Sequence, residues 1–240
     1  MHLKQVILNP EKYPTLDHYP FNLALFQKNQ SIGFDSPVTF FVGENGSGKS
    51  TLLEAITRKC GIYIWQGMLR PRFNASPYEK DLHKNITIEW ADGGKVPGSF
   101  FGSQIFSNFT RILDEWLTMD PGLLEYFGGK SLVAQSHGQS LMAFFKSRFK
   151  IKGLYLLDEP ETALSPTSQL TLLNLLREVG RSGKAQFIIA THSPILLACP
   201  DARILTFDQI PVKQIAYKNT DHYRIYKKFM TDPAKFLPSN

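Results

Sequence analysis

Val38-Thr39-Phe40-Phe41-Val42-Gly43-Glu44-Asn45-Gly46-Ser47-Gly48-Lys49-Ser50-Thr51-Leu52-Leu53-Glu54-Ala55-Ile56 reads in turn as a strand, a glycine loop and a helix. Its first five residues are β-branched or aromatic and read as a short buried strand. From Thr51 the apolar residues fall at helical spacing, with Gly61 as the expected stop. Between strand and helix, Gly43 to Ser50 fits the pattern G-x-x-x-x-G-K-S in the context that pattern requires. Glycines let the backbone wrap closely around a phosphate, and the loop N–H groups with the helix N-terminus aim donors at the anion. Lys49 is placed to reach the outer phosphates. Ser50 offers a hydroxyl to Mg²⁺, a hard ion that takes oxygen ligands. Gly43, Glu44, Asn45, Gly46, Ser47, Gly48, Lys49, Ser50 and Thr51 are the expected nucleotide-binding set, with ATP and Mg²⁺ as ligands.

Toward the C-terminus the alternation continues. A helix is expected over Leu141–Phe149, following Gly138. Gly153–Leu157 is a continuous apolar run, a strand that delivers Asp158 and Glu159 to the carboxyl edge of a sheet, where ligands bind in open α/β folds. Asp158 in that position suits Mg²⁺, directly or through water. Glu159 suits polarisation of an attacking water. Thr167–Val179 carries Leu170, Leu173, Leu176 and Val179 near helical spacing, with Gly180 as its expected stop. Strands are expected at Ala185–Ala190, ending at Thr191-His192, and at Ala202–Phe207. Apolar strands alternating with helices imply an α/β fold with a mainly parallel sheet.

The remainder is less regular. Residues 1–30 read as extended segments and turns around Pro10, Pro14 and Pro20. Residues 62–130, rich in aromatics, Gly and Pro, read as a lid or side subdomain inserted into one 1–240 domain. Within it, Ile86–Trp90, a turn at Ala91–Gly94 and Ser99–Phe106 are expected to pair as a β-hairpin. Hydrophobic residues at 42% and charged residues at 20% fit a soluble globular chain, and no apolar run is long enough to span a membrane. The first 14 residues lack a signal-peptide layout. Two cysteines, Cys60 and Cys199, are too few for a disulfide framework. Cytoplasmic localisation without membrane insertion is therefore expected. A net charge of +6 permits a nucleic-acid or other anionic partner without demanding one.

The blocks GENGSGKS, SHGQS, LYLLDEPE, TALS and ATHSPIL, in this order, resemble an ABC-type P-loop ATPase head. In particular they are similar to small stand-alone bacterial ATPases often labelled AAA-family and related to SMC/RecF-like heads. The likeness covers residues 36–60 and 130–230 well and the middle loosely. Asp158 lies 22 positions after Ser136, and His192 a further 34, as in such heads. The resemblance implies an ABC-type core with a small antiparallel β/lid subdomain. It makes Glu159, His192 and Lys49 catalytic, and Ser50 and Asp158 metal-holding. It also implies that Ser136, Gly138 and Gln139 form the loop that caps the γ-phosphate of ATP on a second copy, hence an ATP-dependent homodimer. His137 replaces the first glycine of that loop's usual Gly-Gly pair, and Ser165 replaces the aspartate at the next interface position. Taken alone, Ser136–Gln139 reads equally as a helix cap. Gln104 is the candidate for the glutamine that links metal and water to the lid, its other reading being a surface side chain. Tyr19 is the candidate to stack on adenine, its other reading being core packing.

The function these features imply is an ATP-hydrolysing, dimerising switch in nucleic-acid maintenance or phage defence, with nucleic acid or an effector protein as partner. The alternative is the ATPase subunit of a membrane transporter, against which the altered signature loop speaks. A nucleotide-glued module without hydrolysis would have no need of Glu159. A toxin-like partner of a neighbouring gene product stays open. No heptad pattern lies between Ser50 and Ser136, so no long coiled coil is expected.

Overall fold

Three strands, Val38–Val42 (β3), Gly153–Asp158 (β7) and Ala185–Ala190 (β8), bury every residue they contain. A strand buried on both faces needs cover on both, which fits the centre of a parallel sheet. The computed structural model, which describes residues 1–65, 76–102 and 137–237, puts them there. The large sheet has the order β10-β9-β3-β8-β7-β6-β4. Its other strands are Tyr63–Trp65 (β4), Gly98–Phe101 (β6), Arg203–Thr206 (β9) and Lys213–Gln214 (β10). All neighbours run parallel except β10 on β9. A second, antiparallel sheet joins Leu3–Leu8 (β1) to Ser31–Gly33 (β2) and to Ile86–Trp90 (β5).

Alternate side chains of the central strands feed two cores. Phe40, Tyr155, Leu157, Phe187 and Ile189 face one way, against helices His137–Arg148 (α3), Pro166–Arg181 (α4) and Pro194–Leu197 (α5). Phe41, Leu154, Leu156 and Ile188 face the other way, against helix Lys49–Cys60 (α2), short helix Ala24–Lys28 (α1) and the antiparallel sheet. The first core includes an aromatic stack: Phe145 lies 4.9 Å from Phe149, nearly parallel, and Tyr155 meets Phe187 at 5.6 Å. The buried Tyr155 hydroxyl donates to the carbonyls of Arg148 and Ile151, so it leaves no unpaired polar atom. Fully buried Gln186 ties the two sheets together. Its Oε1 accepts from the N–H groups of His2 and Leu3, and its Nε2 donates to the Leu3 carbonyl.

The expected α/β architecture is present, and so is a small antiparallel sheet, with different members. The predicted hairpin does not form. Ile86–Trp90 pairs with β1, whereas Gly98–Phe101 lies between β4 and β7 of the large sheet. A turn does occur near Ala91–Gly94, where the Gly94 N–H donates to the Ala91 carbonyl, but the chain beyond it crosses to the other sheet. Long-range pairing with the large sheet overrides the local hairpin signal. Gly98 fits this crossing closely, since a Cβ there would sit 2.2 Å from the Leu154 carbonyl oxygen. The predicted stop at Gly180 also fails. Helix α4 runs on to Arg181, and buried Gly180 packs against Pro37 and Val38; the left-handed residue is Gly183, at φ 71°. Gly61 is the stop expected for α2, at φ 62°.

Candidate nucleotide-binding site

The loop between β3 and α2 is built by three glycines with positive φ: Gly43 at 147°, Gly46 at 83° and Gly48 at 99°. That region is strained for side-chain residues. At two of the three, space forbids a side chain too. A Cβ on Gly48 would lie 2.7 Å from Leu25, and one on Gly43 2.9 Å from the Asp208 carboxylate. The tip, Glu44 to Gly46, is exposed, and Lys49 beneath it is buried. The Lys49 ammonium donates to the carbonyls of Gly43 at 2.6 Å and Glu44 at 2.9 Å, and so holds the loop as a ring around its own charge. Burial pulls the Lys49 pKa down, opposed by Glu159, Asp208, Asp158 and Glu44.

Facing this loop are the carboxyl ends of β7 and β8. Ser50 Oγ donates to Asp158 Oδ1 at 2.9 Å, so the hydroxyl and the carboxylate that the sequence singled out adjoin each other. Both are hard oxygen donors, which suits Mg²⁺. No group of three or more His, Cys, Asp or Glu side chains forms a metal cage among the described residues. One carboxylate and one hydroxyl fit an ion that takes its other ligands from phosphate and water. Burial first, then Glu159 and Glu161, push the Asp158 carboxyl up to about 7, against the Ser50 hydrogen bond and Lys49.

This shift has a sign. A carboxyl with a folded pKa above its unfolded value, about 3.9, binds protons better when folded. Its favourable share of stability is complete below that lower value and is lost as pH rises through about 7. Asp158→Asn removes the buried charge and keeps an oxygen for Ser50. In magnesium- and nucleotide-free buffer it is expected to melt above wild type at pH 8, with the gap narrowing by pH 5. A gap that stays constant with pH would contradict the shift.

Glu159 follows Asp158 in the left-handed region, at φ 52° and ψ 54°. For a non-glycine residue this costs about 1–2 kcal/mol, and such strain gathers at functional sites. The turn is held from both sides. Its N–H donates to the Ala190 carbonyl at 2.9 Å, and its carbonyl accepts from the Thr162 hydroxyl at 2.9 Å. The consequence is that Glu159 Oε1 lies 3.7 Å from Nε2 of His192, at the end of β8. The His192 backbone N–H donates to Glu161 Oε1. His192 Nε2 is buried and has no hydrogen-bond partner among the described residues.

The structure thus brings Lys49, Ser50, Asp158, Glu159 and His192 to one sheet edge. Thr51 joins them, its Oγ1 2.6 Å from the Tyr19 hydroxyl. Tyr19 and Thr51 line a cleft of about 150 Å³ with Glu54, Arg58 and Glu79. Gly138 lies elsewhere. At the start of α3 it packs against the Ala163 carbonyl and Ser168, and no described P-loop atom is within 4 Å of where its Cβ would be. Gln139, next to it, is exposed. Ser165 caps α4, its Oγ accepting from the Ser168 N–H. Ser136 and Gln104 lie outside the described residues.

Three neighbours of the site carry no expectation from the sequence, and two of them, Asp208 and His222, stand in none of the linear motifs. Asp208, just beyond β9, accepts the Glu44 N–H at 2.7 Å and so props the P-loop. Glu161 holds the His192 backbone. His222, in helix Asp221–Thr231 (α6), has its Nε2 3.0 Å from His192 Nδ1. The acidic pattern Glu159-Pro160-Glu161 could have drawn attention to Glu161. Only tertiary contact could have found the other two.

Comparisons with known proteins agree with this geometry. A family model described as an AAA domain matches residues 21–61. A second, described as an AAA domain, putative AbiEii toxin, Type IV TA system, matches residues 141–198. The cobalt import ATP-binding protein CbiO of Salmonella typhimurium is 28% identical over 171 residues, which is 65% of this chain and 62% of that protein. The match thus spans less than two thirds of that relative's length. Among solved structures, an SMC head bound to the C-terminal winged-helix domain of ScpA has a TM-score of 0.56 at 13% identity. That match covers 90% of this chain and 98% of the SMC chain. The ADP conformation of an ATP-binding cassette of an ABC transporter has a TM-score of 0.50 at 16% identity, covering 97% and 96%. At such identities the structures speak for the fold, and the two family matches fall on the segments that contain the glycine loop and the β7–β8 edge. Motifs, fold and matches are all in register with those of an ABC-type P-loop ATPase head.

Proposed function

We propose that the protein binds ATP with Mg²⁺, hydrolyses it and uses the cycle to pair and release two copies of itself. The observation that carries this reading is the meeting of Lys49, Ser50, Asp158, Glu159 and His192 around one loop. Lys49 and the loop N–H groups bind the phosphates. Ser50 and Asp158 would hold Mg²⁺, with Gln104 as a further candidate, and the ion would supply charge neutralisation on the phosphate oxygens. Glu159 accepts a proton from water as its oxygen attacks the γ-phosphorus, and the bond to the ADP oxygen breaks. His192 donates from Nε2 to the charge that develops there.

Gly138 sits where it favours pairing of two copies. It faces the segment after Glu159 rather than its own P-loop, so Ser136, Gly138 and Gln139 would serve the γ-phosphate of a second copy. Two-fold symmetry then closes two equivalent ATP sites. The nucleotide becomes part of the interface, and affinity between copies depends on it. In a Glu159→Gln background, sedimentation is expected to register a monomer-to-dimer shift on adding ATP-Mg²⁺. Adding Ser136→Arg should block it. A Glu159→Gln protein that stays monomeric at saturating ATP rejects the homodimer.

For the role of the cycle, defence or nucleic-acid maintenance is favoured by the match to the model described as a putative AbiEii toxin of a Type IV TA system. The net charge of +6 is compatible with an anionic partner. The likeness to CbiO, a cobalt import ATP-binding protein, favours the transporter reading instead. ATPase assays with and without DNA or RNA separate the two, since stimulation by nucleic acid speaks for the first. No described helix is long and apolar enough to cross a membrane. With both cysteines unpaired and buried, we assign the protein to the cytoplasm. We also take residues 1–240 as one domain. β4 and β6, inside the stretch 62–130 read as an inserted subdomain, pair within the large sheet.

A further inference from the structure

Helix α6 comes after the ATPase core in sequence, yet its second residue reaches the reactive edge. Its start is firmly built. Thr220, buried, caps it by accepting the Tyr223 N–H, and donates to the Tyr217 carbonyl. The Tyr217 hydroxyl in turn donates to the Pro194 carbonyl, two residues beyond His192. Tyr217 and Tyr223 pack edge to face at 4.8 Å. This brace fixes His222, whose Nε2 lies 3.0 Å from His192 Nδ1 with ring centroids 5.2 Å apart. His222 also lines a cleft of about 390 Å³ shared with Gly43, Glu44 and Asp208.

Two imidazoles in hydrogen-bond contact must divide the roles, because one nitrogen donates and the other accepts. The other nitrogen of His192 decides the division. Nε2 points at the Glu159 carboxylate, an acceptor 3.7 Å away, and has no other polar partner among the described residues. Facing a carboxylate, and a phosphate when one is bound, a bare nitrogen lone pair is repelled, whereas an N–H is attracted. A neutral ring with its hydrogen on Nε2 has an acceptor at Nδ1. His222 Nε2 must then be the donor.

We infer that His222 is a positioning residue that holds His192 in its Nε2–H tautomer, aimed at Glu159 and the γ-phosphate. The hydrogen bond made by one ring nitrogen sets the state of the other. Oxygen acceptors usually fill this place beside a functional histidine, and they fix the opposite tautomer. A histidine donor fixes the Nε2–H form without adding a negative charge beside Asp158 and Glu159. Burial, then His192 and Lys49, hold His222 below the ordinary histidine range, opposed by Asp208 and Asp221, so His222 joins the pair as a neutral ring. The functional part of this inference rests on the proposed role of His192 in hydrolysis; the tautomer does not.

The test is long-range proton–nitrogen NMR on the full chain labelled with ¹⁵N-histidine, with His192 assigned by its loss in His192→Asn. In wild type, His192 is expected to carry its hydrogen on Nε2 and to show Nδ1 as an acceptor. His222→Phe keeps a ring but no donor. It is expected to shift His192 toward a tautomer mixture and to lower kcat about tenfold with KM little changed, the low end of losses when the orienting partner of a functional imidazole is removed. His222→Gln puts an amide N–H where Nε2 was and should restore both to within about twofold of wild type. An Nδ1–H tautomer in wild type overturns the inference, with no variant required. So does a His222→Phe protein that keeps both the Nε2–H tautomer and full kcat. A fully active His192→Ala protein alongside the expected wild-type tautomer strikes instead at the reading of His192 as a γ-phosphate group.

Discussion

Glu159→Gln is expected to bind ATP as wild type does and to hydrolyse it at least about 10²-fold more slowly. The amide keeps the volume and an oxygen but takes no proton from water. The way the backbone is held at this position makes the effect local. Glu159 is kept in its left-handed turn by bonds from its main chain to Ala190 and Thr162, and these do not involve its carboxylate. Its side chain is about a third exposed, so the change from charge to amide costs little folding free energy. The measurement is phosphate release at saturating ATP beside a binding titration with a fluorescent ATP analogue. Normal turnover would remove Glu159 from the role of base and leave the P-loop reading intact.

The second large effect is expected from Lys49→Ala: a loss of at least about 10²-fold in ATP affinity, the scale on which truncating one partner of a buried, hydrogen-bonded charge pair acts. Lys49 is 4% exposed, and its ammonium bridges the Gly43 and Glu44 carbonyls. Without it, those carbonyls face inward with no donor between them, and the loop loses the charge that matches the phosphates. Lys49→Met keeps the buried stem and separates loss of charge from loss of packing. It should bind ATP as poorly as the alanine variant while melting closer to wild type. Wild-type affinity in both would show that ATP does not bind at this loop.

Linear motifs single out both residues, and the reason is geometric. A strand, a glycine loop and a helix occur within the 23 residues from Val38 to Cys60. Local spacing alone therefore fixes which side chain meets the phosphates. The runs ending at Asp158 and at His192 are likewise legible, because a fully buried parallel strand is mostly apolar, with Gln186 the exception in the second run, and the polar residues that close each run mark the carboxyl edge. The same logic fails at Gly98–Phe101. The turn near Ala91–Gly94 is written locally, but local chemistry does not encode which of two sheets receives the next strand.

The P-loop, the acidic pair at the end of β7, the histidine after β8 and the α/β class are all written in the order of residues along the chain, since each depends on neighbours a few residues apart. The contacts between those pieces arise only on folding. Asp208 reaches back across 164 positions to hold the Glu44 N–H, and His222 meets His192 across 30. Neither residue stands in a pattern of its own. An isolated aspartate or histidine takes its chemical meaning from the partner that folding places beside it, and that partner is fixed by sheet order and helix packing rather than by spacing along the chain.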